Sequence, residues 1–355
     1  MAKILIRPLF TATALMSVFG LISCATTTAP PPAPIVQAPA EPQLPPAPAA
    51  PPPVVIAQRS IALRTDEALV RSAGNHAVLM GHINQIPASG INAPSDLNAL
   101  IDGAAQVYSP SLGPSLIGYG ALIGAQNTTF AEGVLDTARY QGLDTIVYKL
   151  YAEPNFAASL PGAANASADI QNAWASDITS IGRSGDYVKQ QSYELQKDGA
   201  WKTLRADDRS ARLQIFEQAK SVRYTPPQQT RQSLAQIGTI RAYDSDADLR
   251  RQQFWQVYGR AGQPQSQTFS SQYNSAMHNK ALTLSALEIL GATGADSSIW
   301  IENYMASPKL NRCITTARLN AAQCVAAGHF KYEDAFCAAE HELTEVSNCL
   351  MQNLL

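Results

Sequence analysis

Four cysteines near the C-terminus, Cys313, Cys324, Cys337 and Cys349, constrain this 355-residue chain more than any other feature. The segments that carry them have helical spacing. Ser307-Pro308 reads as a helix start, with a hydroxyl at the N-cap and proline in the first turn. Leu310, Ile314, Ala317, Ala321 and Val325 then recur on one face until Gly328. A second helix is expected from about Tyr332 to Leu350, with Phe336, Leu343, Val346 and Leu350 inward. The linker is too short for anything but antiparallel neighbours. In such a hairpin, residues that face each other have a nearly constant sum of positions. The pairs 313 with 349 and 324 with 337 share that sum to within one residue, so nested bridging keeps both pairs level. The crossed alternative offsets each pair by several residues. Pairing Cys313 with Cys324 inside one helix spans about 16 Å at a rise of 1.5 Å per residue, against the roughly 4.4–6.8 Å between Cα atoms that a disulfide requires. The expectation is Cys313–Cys349 and Cys324–Cys337. Zinc is the rival reading of four thiols, but structural zinc sites usually contain a close C-x2–4-C pair, and the spacing here offers none. No metal or cofactor is expected.

The opposite end of the chain supplies the redox context. Lys3 and Arg7 precede an apolar run from about Leu9 to Leu21. A charged start, a short apolar stretch and a small residue at the cut form the layout of a secretory signal. The run is short for a spanning helix, which needs roughly 20 apolar residues. Directly after it, Leu21-Ile22-Ser23-Cys24 resembles the lipobox of bacterial lipoproteins. The resemblance implies a signal peptide over residues 1–23, diacylglycerol on the Cys24 thiol, cleavage before Cys24 and acylation of the new amine. Ala25 in place of aspartate implies, by the sorting pattern of that class, export to the outer membrane with the body in the periplasm. An ordinary secretory signal and an uncleaved anchor are the alternatives. With Cys24 taken by lipid, an even number of cysteines is left to oxidise in an exported chain.

Residues 24–57 carry almost no folding signal. Twelve of the 23 prolines lie between Pro30 and Pro53, interleaved with alanine. Such a segment favours polyproline II and cannot bury enough apolar surface to fold. At about 3.1 Å per residue it reaches roughly 90 Å when extended. A spacer between lipid and body is the expectation, and a recognition site for a proline-binding partner is the alternative.

The remainder reads as all-α. Leu97, Leu100, Ile101 and Ala104 follow Ser95 on one face, and Thr129 with Glu132 matches a capping box ahead of Val134, Leu135 and Ala138. The longest stripe follows Ser167, with Ile170, Trp174, Ile178, Ile181 and Val188 at helical spacing. Leu213, Phe216 and Ala219 mark another helix, from about Arg209 to Val222. Alternation is scarce; Thr145 to Tyr151 is the best strand candidate and fits a helix equally. Turn signals at Asn75, Pro87 to Gly90, Pro161-Gly162 and Pro226-Pro227 divide the helices. A further break, from Gly259 to Pro264, separates an expected helical domain over 58–260 from a C-terminal region over 265–355, in which a helix from about Ser271 to Leu290 precedes the hairpin of 307–352.

No catalytic constellation is legible. Gly113-Pro114-Ser115-Leu116-Ile117 lacks the second glycine of a nucleophile elbow. His76, His82, His278, His329 and His341 form no His-Glu-x-x-His, and each reads as a surface or locally hydrogen-bonded group, His341 lying with Glu340 and Glu342 on a solvated face. Asp144, Glu153, Asp169 and Asp177 are available as paired acids of a glycan-cleaving enzyme, but read more simply as caps or surface groups. Gly113, Gly118, Gly120 and Gly124 resemble a close helix-packing face, and no Gly-Lys-Ser/Thr follows for a phosphate loop. Lys202 to Arg260 holds eleven basic residues against six acids, with Tyr224, Tyr243, Trp255 and Tyr258 interleaved. A solvated helical face is the plain reading, and contact with anionic envelope material is the alternative. A net charge of −2 gives no global attraction to nucleic acid.

As a whole the chain resembles Gram-negative outer-membrane lipoproteins with a proline-rich tether, through residues 1–57. Its body is similar to uncharacterised alphaproteobacterial lipoproteins, a likeness that implies no activity. The expected role is a non-catalytic scaffold or assembly factor, anchored to membrane by its lipid, with an envelope protein, peptidoglycan or lipopolysaccharide as partner. An enzyme acting on cell-wall glycan and a carrier of an apolar ligand are the alternatives.

Overall fold

The computed structural model describes residues 64–221, 225–237 and 276–354. Cys24, the tether and the break at Gly259 to Pro264 lie outside them, as do Tyr224, Tyr243, Trp255 and Tyr258. The described residues are helical apart from turns, with one isolated antiparallel bridge between Arg205 and Phe330. In chain order the α-helices are α1 (Ala68–Ser89), α2 (Pro94–Ala104), α3 (Leu112–Ala125), α4 (Thr128–Gln141), α5 (Leu143–Ala152), α6 (Ala163–Lys197), α7 (Arg209–Ala219), α8 (Gln228–Ile237), α9 (Ala276–Ile289), α10 (Ser298–Tyr304), α11 (Pro308–Ala327), α12 (Lys331–Cys337) and α13 (Glu345–Leu354). A π-helical segment, Ala338–Thr344, joins α12 to α13.

Helix α3 lies at the centre, because its sequence is apolar or small all round and has no face to offer water. Twelve of its residues are buried. It packs on α1, α9 and α6, and its glycines decide how closely. A Cβ on Gly118 would lie 2.9 Å from Ser72 Cβ of α1, and one on Gly120 would lie 2.7 Å from the Trp174 ring of α6. Gly124 meets Ser285 of α9 in the same way. Polar groups then cross the contacts: Trp174 Nε1 donates to the Leu116 carbonyl at 3.0 Å, and Ser285 Oγ to the Ala121 carbonyl at 2.9 Å. The helix-packing expectation for this segment thus describes a buried central helix touched on three sides.

Helix α6, at 35 residues, buries the stripe expected of it: Ile170, Trp174, Ile178, Ile181 and Val188. It begins at Ala163, ahead of the expected start, behind Gly162 in a left-handed conformation (φ +77°). Two local expectations are corrected, and a third, open between strand and helix, is decided. Asn75 and Pro87 interrupt nothing; both lie within α1, which ends before Gly90. Proline at 87 removes the N–H that would reach Ile83, and the Ser184 hydroxyl donates to that carbonyl instead, at 3.1 Å. Thr129 and Glu132 do not form a capping box; Asn127 caps α4, accepting from Phe130 N at 3.0 Å. Thr145 to Tyr151 is helical, within α5.

One core runs through helices on both sides of the expected domain break, from Leu69 and Leu122 to Leu284, Leu310 and Leu343, and all described residues belong to one compact unit. A buried ion pair ties the ends together. Arg64 Nη2 meets Glu288 of α9 while its Nε donates to the Ala235 carbonyl of α8 at 3.2 Å. Glu288 also accepts from Thr293.

The C-terminal hairpin is closed by two disulfides, Cys313–Cys349 and Cys324–Cys337, with Cα atoms 5.8 and 5.6 Å apart. Both joined pairs are level across the hairpin, as the position sums require. α11 starts at Pro308, though the Ser307 side chain makes no cap bond. Two outcomes follow. Gly124→Val should destabilise the fold by about 1–3 kcal/mol through overpacking, read as a lower midpoint in thermal denaturation; an unchanged midpoint would show that α9 can retreat freely. Cys313→Ser should leave Cys349 open to alkylation under denaturing, non-reducing conditions while Cys324 and Cys337 stay protected, and labelling of Cys337 instead would overturn the pairing.

Candidate functional sites

The structure does not bring the four sequence-nominated acids together. Asp144 and Glu153 are exposed at opposite ends of α5. Asp169 is half-buried and accepts from Asn127 Nδ2 at 2.8 Å; burial raises its carboxyl above the usual range, against that hydrogen bond. Asp177 is buried and lies 2.8 Å from His76 Nε2. His76 is itself buried, tilted against the Tyr119 ring at 4.4 Å, so neither residue is a surface group. This His–Asp pair joins α1 to α6 inside the bundle, with both side chains buried. His278 is buried too, its Nε2 2.8 Å from Ser167 Oγ, and burial lowers its pKa to about 4. His82 and His329 are exposed.

Among the described residues, two openings carry polar chemistry. The larger is a groove of about 480 Å³ where the N-terminal half of α1 meets the start of α3, the loop before α8 and the α10–α11 junction. Its walls carry neutral donors and acceptors, Ser72, Asn75, Ser111, Asn303 and Asn311, between Pro110, Pro114, Pro226 and Met305. The one ion pair on it is self-neutralising: Arg71 Nη2 lies 2.7 Å from Glu302 Oε1, with both side chains about half exposed (42% and 48%). The Asn75 side-chain oxygen is shielded from solvent and has no hydrogen-bond partner. None of these residues was singled out as a site by sequence, because they come from separate helices and carry no motif.

The smaller is a cavity of about 130 Å³ between α2, α7 and the turn of the hairpin. Chain pairing builds it: Ala206 N donates to the His329 carbonyl and Lys331 N to the Leu204 carbonyl, both at 3.0 Å, laying the segment before α7 along the hairpin turn. Arg212 of α7 then reaches Asp334 at 2.6 Å, the Val325 carbonyl at 2.7 Å and the Gly328 carbonyl at 3.1 Å. Lys331 contacts Asp207 and, at 2.9 Å, Asn98 Oδ1. Asp102 lines the cavity and is raised by partial burial; Asp334 is raised by burial in spite of Arg212. Behind them sits Glu342 of the π segment, 1% exposed, with no hydrogen-bond partner on either carboxylate oxygen. Burial pushes its carboxyl well above the usual range, and the charges of Asp102 and Asp334 push it the same way. The expected solvated face for Glu340, His341 and Glu342 is therefore corrected at Glu342. A regular α-helix keyed on Leu343 and Leu350 leaves 342 further round; the wider π turn brings both 342 and 343 inward. His341 stays half-buried, its Nδ1 2.8 Å from Glu345 Oε2.

Of the basic residues of 202–237 that the structure describes, Arg212 pairs with Asp334, Lys220 with Glu217 and Arg231 with Asp66, and Arg205 lies over the Phe330 ring. Among the described residues no helix is long and apolar enough to cross a membrane, and no cluster of His, Cys, Asp and Glu has metal-binding geometry. The chain matches no protein-family model, no curated protein and no solved structure.

His278 gives a pH prediction. Its folded pKa lies below the unfolded value, so the unfolded chain binds the extra proton between the two. Its contribution is full above about pH 6.5 and is lost as pH falls toward 4, at most about 3 kcal/mol at 1.36 kcal/mol per unit. Denaturation midpoints measured across that window should fall with acid in the native chain and fall less in His278→Gln; equal slopes would remove the histidine from the account.

Proposed function

We propose that this is a lipid-anchored protein of the bacterial envelope, attached to the outer membrane through Cys24 and holding its helical body in the periplasm as a non-catalytic interaction scaffold. The observation that carries the scaffold reading is the polar groove beside α1. At about 480 Å³ it falls in the roughly 300–1,000 Å³ range of ligand sites. Its neutral amides and hydroxyls, with Arg71 and Glu302 cancelling at the rim, suit a partner rich in hydrogen-bonding groups and poor in net charge. The glycan of peptidoglycan and an extended segment of an envelope protein both have that chemistry. The address rests on the lipobox and is supported by two disulfides, which persist in oxidising compartments such as the periplasm.

A second reading, an enzyme acting on cell-wall glycan, is favoured by the raised carboxyls of Asp102 and Asp334 at the smaller cavity. Its volume of about 130 Å³ is well under the usual size of a ligand site, which is why the scaffold reading is preferred.

The address is tested by metabolic labelling with palmitate. The native chain should incorporate label and Cys24→Ser should not; label on the variant would overturn the anchor. The scaffold role is tested on purified peptidoglycan and on crosslinked envelope extracts. Asn303→Trp, at the exposed rim, should reduce capture of the partner at least several-fold with the helical circular dichroism unchanged. Clearing of a cell-wall substrate by the purified body would replace this reading with the second one.

A further inference from the structure

Glu342 is the most anomalous polar group among the described residues. Its carboxyl is fully buried and both oxygens lack a hydrogen-bond donor, an arrangement an ionised carboxylate tolerates badly. The hydroxyl of Tyr108, in the 3-10 turn after α2, is buried and without a partner as well, and the two groups interact electrostatically. The charges around the segment do not relieve the acid. Asp102 of α2 and Asp334 of α12 oppose its ionisation. The cations nearby are engaged elsewhere: Arg212 with Asp334, Arg318 of α11 with Glu217, and Lys189 of α6 with Glu340, with Asp186 beside it. Glu345 of α13 is held by His341 and Asn320.

The backbone around Glu342 is equally unusual. The π segment Ala338–Thr344 lies against α6 at Gly185, where a Cβ would come within 2.5 Å of Thr344 Oγ1 and 3.2 Å of the Ala339 carbonyl. The two disulfides bracket it: Cys337 immediately precedes the segment and Cys349 follows it, and both are bonded to α11. Whatever the segment does, its ends stay fixed to the hairpin. Local opening is confined between two covalent pins, and closing needs no search.

We propose that Glu342 is held as the neutral acid in the closed protein, and that its ionisation releases the π segment from the body between the two disulfide pins, making this part of the hairpin a reversible pH-responsive element. The sign follows from linkage. A carboxyl that keeps its proton more tightly when buried favours the closed state at low pH, and this preference is lost as pH rises through the value it has in the closed state. The direction is opposite to that of His278, so the two groups are separable by residue and by the sign of their pH dependence.

The test is amide hydrogen exchange on the full chain with both disulfides intact, read over residues 338–348 by mass spectrometry from about pH 5 to pH 9 and corrected for the intrinsic chemical rate. Above a midpoint, protection of this segment should fall about tenfold per pH unit until the segment is open, as loss of one proton requires, while α3 stays protected. Glu342→Gln, of the same shape and uncharged, should abolish the dependence and leave the segment protected throughout. Asp102→Asn, at an exposed position, should make the total loss of protection across the pH range smaller, because removing a like charge makes the ionised acid less costly in the closed state, and it keeps the test decisive if the glutamine variant does not fold. Protection in the native chain that is independent of pH would overturn the proposal. So would a dependence that persists in Glu342→Gln or a loss of protection undiminished by Asp102→Asn.

Discussion

The close approach of neighbours to α3 governs how the described helices are arranged. A helix that is apolar all round must be covered on every side, and coverage on three sides at once requires small residues where the neighbours touch. Gly118 admits Ser72 of α1, Gly120 admits the Trp174 indole of α6, and Gly124 admits Ser285 of α9. Dispersion contacts rise steeply as surfaces close, and a gap of even 0.5–1 Å forfeits about a quarter to a half of each contact. α9 comes from the far side of the expected domain break, yet it is covered almost completely against α3. That is why residues 64–237 and 276–354 share a core instead of forming two.

The hairpin shows a different logic. Its cysteines brace covalently a hairpin whose Leu310, Ile314, Leu343, Val346 and Leu350 pack into the common core. Bridging confines the hairpin's alternatives more than it adds contacts: a loop closed by a disulfide loses conformational freedom mainly in the unfolded state. With the last residue of α12 and Cys349 inside α13 both bonded to α11, the chain between them accommodates a π segment and a buried acid. The polar groove, against α1, α3 and α10–α11, shares no lining residue with the π segment.

How far these features were legible depended on whether they were local. Apolar stripes such as Ile170 to Val188, the helical hairpin and the level cysteine pairs all rest on a repeat of 3.6 residues and a rise of 1.5 Å, which neighbouring residues state by themselves. Asn75 and Pro87 misled because turn propensity is weak beside tertiary packing: α1 is held by α3 and α6, and Ser184 satisfies the carbonyl that Pro87 leaves. Glu342 misled for a related reason. A single widened turn shifts the facing set by one residue, and no composition signal marks where that turn falls.

The order of the chain alone determined the helical class and the nested pairing of Cys313–Cys349 and Cys324–Cys337, and it carries the lipobox-like run and proline-rich segment from which an address is expected, because each depends on spacing along a single segment or a single hairpin. Only the tertiary structure decided that α9 and the hairpin join α3 in one core, that His76 meets Asp177 and Arg64 meets Glu288 out of water, that Asn75, Asn303 and Ser111 line one groove, and that Glu342 turns inward with nothing to bond. Those outcomes arise from contacts between residues tens to hundreds of positions apart, where burial and charge are set by what arrives on the other side.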